Sequence, residues 1–237
     1  MDTGKAVLTN RKGLTNKPMK LLTICPTRNR HPLLKQMTDS YHKTISDNDN
    51  KLVLCVDHDD SRLRYYEKYD AHTFYKNETV TEMINFCFNM HPDYDFYHVS
   101  NDDFVYHTKD WDISLTKKQG INYGNDLFMK HNQPVGYFIP KEFAKAVGWL
   151  QMPRLTHLYG DSVWKMIGHK LNRLYYHKDI VIEHRHFMNN KLPRDEIYDK
   201  TNSVDMYKRD SEAFHQWVVN DYVSDIAKIQ EVINGKT

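Results

Sequence analysis

No stretch of this 237-residue sequence approaches roughly 18 consecutive apolar residues, and its opening, MDTGKAVLTNRKGLTNKPMK, has no apolar segment of the kind a signal peptide requires. These absences predict neither secretion nor a membrane span. Charge of one sign is missing too. Lys+Arg 33 against Asp+Glu 31 leave a formal net charge of +2, which excludes the strong basic excess of a dedicated nucleic-acid binder and names no partner. Cysteine is scarce: Cys25, Cys55 and Cys87 sit inside apolar runs without CxxC spacing. An odd, buried set of this kind predicts reduced thiols in a cytoplasm-like compartment. There is no internal repeat and no low-complexity tract. What is present is enough chain for one large domain with a real core, or for a domain with a helical extension.

Three short apolar runs stand out: LLTIC (21–25), LVLCV (52–56) and FYHV (96–99). Continuous runs of this length suit strands covered on both faces, as in a parallel sheet, and Pro26 is expected to stop the first. Helical spacing lies between them. Leu34, Met37, Tyr41 and Ile45 recur at steps of three and four. Thr79-Val-Thr-Glu82 reads as a capping box, and Val80, Met83, Ile84 and Cys87 continue one face until Pro92. The distance from Cys25 to Leu52 fits a βαβ crossover. An α/β domain follows.

Each run ends in polar residues. Thr27-Arg28-Asn29-Arg30, Asp57-His58-Asp59-Asp60 and Asn101-Asp102-Asp103 are thereby delivered to one sheet edge, where ligands bind in open α/β folds. Two adjacent carboxylates beside a core strand would be costly without partners. Cations and acids together at such an edge suit a phosphate-bearing ligand with a divalent metal, because Mg²⁺ and Mn²⁺ take oxygen ligands and share them with substrate phosphates. Solvated loop residues are the plainer explanation for any single cluster.

The second half is more specific. YFIPKEFAKAVGWL (137–150) and LYGDSVWKMIGHKLNRLYYHKDIVIEHRH (158–186), together with LLTICPTRNR, resemble GT-A glycosyltransferases of the family 2-like group, in versions found in tailed-phage genomes. The resemblance covers residues 20–187. It implies a GT-A, Rossmann-like, mostly parallel sheet flanked by helices, following an N-terminal arm (1–19) and preceding a C-terminal helical extension (188–237). It implies a nucleotide-diphosphate sugar donor, UDP-sugar favoured, with Mn²⁺ or Mg²⁺. Carried over by position, Thr27, Arg28, Arg30 and Asp102, second in the acidic triplet, border the donor, and Asp57 and Asp59 contact its uracil or ribose. The same carry-over implies Asp103 and His184 as the metal ligands. It implies Asp161 as the catalytic base of an inverting transfer.

Two departures accompany the resemblance. Asn101 replaces the first acid of the D-x-D element, and a single carboxylate, Asp161, stands where the family has an acidic pair. Asp161 also fits a plain helix cap. His184 and His186 fit hydrogen-bonded structural histidines, Trp111, Trp149 and Trp164 fit core aromatics, and Arg28 and Arg30 fit surface charges. Two further classes stay open. A nucleotidyltransferase would want a glycine-rich loop after the first strand, and CPTRNRHP has no glycine. An inactive nucleotide-sugar or nucleic-acid binding module is kept open by Asn101. For the acceptor, DNA carrying hydroxymethylated bases stands slightly ahead of a cell-surface or other carbohydrate, since the absence of a membrane segment disfavours lipid-linked glycans. For DNA, Lys117, Lys118, Lys165, Lys170, Arg173, Arg185, Lys191 and Arg194 interleave with Trp164, Tyr175 and Tyr176 as backbone-binding and stacking candidates. The C-terminal stripe of Phe214, Trp217, Val218, Tyr222, Ile226, Ile229 and Ile233 reads as a helix closing over the domain or as a dimer contact.

Overall fold

The computed structural model describes residues 19–46, 49–75 and 78–235; all of the expected N-terminal arm except Met19 lies outside the described residues. β1 (Leu21–Thr27) leads into α1 (His31–Thr44), and β2 (Lys51–Asp57) then lies parallel to β1. A short α2 (Leu63–Tyr66), edge strand β3 (Ala71–Phe74) and α3 (Val80–Met90) precede β4 (Phe96–Val99), which pairs with the other side of β1. Next come β5 (Phe104–Tyr106), α4 (Trp111–Leu115), β6 (Ile121–Asn125), β7 (Phe138–Pro140) and α5 (Lys141–Val147). α6 (Gly160–Lys170) and the long β8 (Leu174–His184) complete a mostly parallel sheet in the order β3-β2-β1-β4-β7-β6-β8-β5. Beyond it lie α7 (Glu196–Thr201), α8 (Val204–Asn220) and α9 (Tyr222–Ile233). Among the described residues no helix is long and apolar enough to cross a membrane.

The apolar runs do not alternate because two cores claim alternate residues. Leu22, Ile24, Val53 and Cys55 point into one core with Met83, Ile84 and Cys87 of α3. Leu21, Cys25, Leu54 and Val56 point into the other with Leu34, Met37 and Tyr41 of α1. A strand buried on both faces has no polar side to show. The capping box at the start of α3 is formed: Glu82 N–H donates to Thr79 Oγ1 (3.2 Å), and Thr79 N–H donates to the Glu82 carboxylate (2.7 Å).

Pro26 does not stop β1, which runs on to Thr27. The β4 ladder has already ended at Ile24–Val99, so beside Pro26 only β2 remains paired. A proline is tolerated where one side of the strand needs no donor.

The C-terminal stripe also departs from expectation, because two helices carry it instead of one. The chain breaks at Asp221, whose carboxylate is drawn out to Arg154. Trp217 Nε1–H spans the break to the buried Asp225 carboxylate at 3.0 Å. All seven stripe residues still pack on the first core, with α9 lying against α5 and α6.

Candidate active site

Parallel pairing of β2, β1 and β4 sets their carboxyl ends side by side, and a cavity of about 580 Å³ opens there. Thr27, Arg28, Arg30, Asp57, Asp102, Asp103, Asp161 and His184 line it together with Asn101. Asp59 stands outside the lining and is tied to it through Arg28, whose guanidinium bridges Asp57 (2.9 Å) and Asp59 (2.7 Å). Beneath them the buried Asp60 carboxylate accepts Asn29 N–H, Arg62 N–H and the Tyr66 hydroxyl at 2.7–2.9 Å, holding the ends of β1 and β2 together.

The acidic triplet is the most buried part. Asp102 accepts the Thr27 hydroxyl at 2.8 Å and lies 3.4 Å from Arg30 Nη1. Burial and the adjacent Asp103 charge push the Asp102 carboxyl up, against the pull of Arg30 and Thr27. Asp103 behaves oppositely. Burial would raise it, but His184, the Tyr198 hydroxyl and Arg30 hold it below the usual carboxylate range. The β5–β8 register, Phe104 opposite His184, explains this partner: it sets His184 beside Asp103, with Nε2 3.4 Å from Oδ1. Burial lowers His184 and the Asp103 charge more than reverses that, so the imidazole is raised.

Two buried atoms here lack a hydrogen-bond partner, Asp103 Oδ1 and His184 Nδ1. Among the described residues no group of three or more His, Cys, Asp or Glu could hold a metal ion. The fit to a divalent cation therefore rests on two ligands. Oδ1 and Nε2 stand about as far apart as adjacent ligands on one ion, each bond being about 2.0–2.2 Å. A hard cation held by one carboxylate commonly completes its shell with substrate phosphates and water, for which the cavity has room.

Asp161 faces the same cavity from α6. The N-cap position belongs to Tyr159, in the left-handed region at φ 68°, and Asp161 sits in the first turn, where Ser162 N–H donates to its Oδ1 at 2.7 Å. The capping explanation is thus displaced by two residues, although the carboxylate still benefits from the helix dipole. Burial raises its pKa, opposed by hydrogen bonds from Gln133 and Ser162. Gly160 before it is required by close approach. A Cβ there would fall 2.2–2.5 Å from the Gln151 amide, and Gln151 is itself pinned through its backbone by Asn85.

Several residues that the sequence did not single out complete the site. Arg30 makes a bidentate pair with Asp195 (2.6 and 2.9 Å), and Tyr198 donates to Asp103 Oδ2 at 2.8 Å. The fully buried Asp210 of α8 accepts the N–H groups of Thr156, His157 and Leu158, at 2.7–2.9 Å, in the loop leading to Asp161. Asp195 carries one local signal: it caps α7, accepting Tyr198 N–H at 2.9 Å. Nothing local announces what it or Tyr198 meets.

The aromatic candidates fall away from the site. Trp111, Trp149 and Trp164 are buried in the core. Trp164, expected as a base-stacking residue, is wholly enclosed and donates its indole N–H to Leu150 O (2.8 Å), so it cannot stack on a nucleic acid. His186 lines the cavity but is occupied structurally, its Nδ1 accepting Met188 N–H at 3.3 Å.

No protein-family model matches this chain, and no curated protein is similar to it in sequence. Solved structures are similar in fold. S. aureus TarS matches with TM-score 0.56 at 13% identity, covering 69% of this chain and 36% of that one. The complex of S. aureus TarS 1-349 with UDP matches with TM-score 0.54 at 13% identity, covering 69% and 59%. The mannosyltransferase PcManGT from Pyrobaculum calidifontis, in complex with GDP-Man and Mn²⁺, matches with TM-score 0.53 at 10% identity, covering 90% and 79%. This chain thus spans less than two thirds of the two TarS chains. The shared architecture is the GT-A glycosyltransferase fold: a mostly parallel sheet flanked by helices.

Proposed function

We propose that this chain is a metal-assisted, inverting glycosyltransferase that takes its sugar from a nucleotide-diphosphate donor, with a UDP-sugar favoured. The observation that carries this is one cavity in which the Asp103–His184 pair, the Arg28–Asp57 strand ends and the Asp161 carboxylate face one another. Support comes from two proteins of the same fold, one in complex with UDP and the other with GDP-Man and Mn²⁺.

Each residue then has a task. Asp57, with Asp59 behind Arg28, accepts hydrogen bonds from the base or ribose, and the Thr27 hydroxyl borders the nucleotide. Arg28 and Arg30 supply positive charge near the diphosphate. Asp103 and His184 hold Mn²⁺ or Mg²⁺, which when bound offsets the charge that grows on the departing diphosphate. The acceptor oxygen attacks the anomeric carbon, the bond to the diphosphate breaks, and the acceptor proton passes to Asp161. Burial makes that carboxylate a stronger base than an exposed one, and a general base of this kind contributes about 10²–10⁴-fold.

For the acceptor, a carbohydrate hydroxyl entering the cavity takes precedence over a hydroxymethylated base in DNA. Trp164 is enclosed, Lys191 is paired with Glu183, Arg194 with Asp199, and Arg185 is bound to Gln36. These cations sit in exposed pairs that phosphates could replace, so it is the enclosure of Trp164 that weighs against base stacking by this set. The test offers the protein labelled UDP- and GDP-sugars with Mn²⁺ or EDTA, and three acceptors: saccharides, hydroxymethylpyrimidine duplex DNA and unmodified DNA. Metal-dependent nucleotide release with transfer to a saccharide is expected. Transfer to hydroxymethylated DNA alone would reverse the acceptor order. Nucleotide-sugar binding without any turnover would leave a binding module and overturn the enzyme.

A further inference from the structure

Seven residues of the C-terminal segment line the cavity, and one of them, Tyr198, meets the acidic triplet. Tyr198, 3% exposed, donates its hydroxyl to Asp103 Oδ2 at 2.8 Å, across 95 residues of sequence. The Arg30 guanidinium lies 3.9 Å over its ring. Arg30 is locked in turn by its bidentate pair with Asp195, which also accepts Tyr198 N–H as the cap of α7. The same guanidinium reaches Asp102 Oδ1 at 3.4 Å. Arg30, Asp195 and Tyr198 therefore form a closed clamp that holds both adjacent acids at the end of β4, one acid by each aromatic or cationic arm.

A carboxylate has two oxygens and can rotate to offer either. In Asp103, Oδ2 is committed to the Tyr198 hydroxyl, while Oδ1 is buried without a hydrogen bond and faces His184 Nε2 at 3.4 Å. Among the described residues the only partner of this buried oxygen is an imidazole too distant for a good hydrogen bond, so the site gains when one cation takes both Oδ1 and Nε2 as neighbouring ligands. We infer that Tyr198, held by Arg30 and Asp195, is a positioning residue that commits Asp103 Oδ2 and so presents Oδ1, with His184, to a divalent cation. This rests on the metal site proposed above. It adds that the site is incomplete without the C-terminal segment, which supplies an outer partner of the kind whose loss typically weakens metal binding by about 10–100-fold.

The test uses Tyr198→Phe, which keeps the ring, its packing and the guanidinium stack and deletes only the hydroxyl. Mn²⁺ is titrated into the full chain by electron paramagnetic resonance of the free ion, with no sugar donor and no turnover needed. The Mn²⁺ affinity of Tyr198→Phe is expected to fall by about 10–100-fold relative to wild type, with the spectrum of bound Mn²⁺ altered and UDP binding in EDTA unchanged. A merely structural tyrosine would shift the melting temperature and leave the bound-ion spectrum intact. Asp195→Asn, which keeps the cap on α7 but loosens Arg30, is expected to weaken Mn²⁺ binding in the same direction and by less. Wild-type Mn²⁺ affinity and spectrum in both variants would overturn the role of Tyr198 while leaving the metal site standing. Absence of Mn²⁺ binding by the wild-type chain, alone or with UDP, would overturn the metal site and this role together.

Discussion

The two ends of the cavity hold charge in opposite ways. At the β1–β2 end, Arg28, Asp57 and Asp59 have side chains 30%, 19% and 49% exposed. At the β4–β8 end, Arg30, Asp103 and His184 are 8%, 4% and 13% exposed. Water and salt screen the first network, so its partners exchange cheaply for a ligand's groups. The second is enclosed, and each charge there must keep a partner or change its protonation. The comparison separates an adaptable recognition end from a preorganised chemical end.

The largest effect is expected at the enclosed end. Asp103→Ala should abolish metal-dependent transfer and, by leaving His184 and Tyr198 without their partner, cost on the order of 3–5 kcal/mol of stability. Full activity in that variant would erase the distinction between the two ends. Asp161→Asn keeps the side chain's shape and removes its basicity, so transfer should fall by about 10²–10⁴-fold with donor affinity and melting temperature nearly unchanged.

The pH profile sharpens the same point. Burial raises the Asp161 pKa, so the carboxyl is still protonated where an ordinary aspartate, titrating near about 3.9, is already ionised. Transfer should therefore decline as pH falls through a value above the usual carboxylate range, and that limb should vanish in Asp161→Asn. A limb at the ordinary position would mean an exposed carboxylate.

Asp210→Ala removes the acceptor of three backbone N–H groups and should lower stability by on the order of 3 kcal/mol, measurable by urea denaturation. The smallest change belongs to the open end. Arg28→Ala and Asp57→Ala should reduce UDP affinity on the order of tenfold while altering stability by about 1 kcal/mol, since ion pairs that water still reaches contribute little. A large stability loss in either would show that this end is as tightly built as the other.

Particular residues mark the limit of what could be read from sequence. The crossover from β1 to β2, the Thr79–Glu82 box and the two cores were legible, because strand period, turn residues and caps act over a few positions. The lining of the cavity by Thr27, Arg28, Asp57, Asp102 and Asp103 followed from where three strands end. The continuation of β1 through Pro26 was hidden, since it depends on where β4 stops. The break at Asp221, where the carboxylate meets Arg154 67 residues away, was hidden too.

The amino-acid sequence by itself determined a parallel α/β sheet with polar strand ends on one edge, through local periodicity and the cost of burying unpaired polar groups. Tertiary structure alone decided the clamp. Arg30 meets Asp195 across 165 residues and Tyr198 meets Asp103 across 95. Such pairings leave no local trace, because a buried carboxylate requires only some donor, and the packed chain determines which side chain provides it.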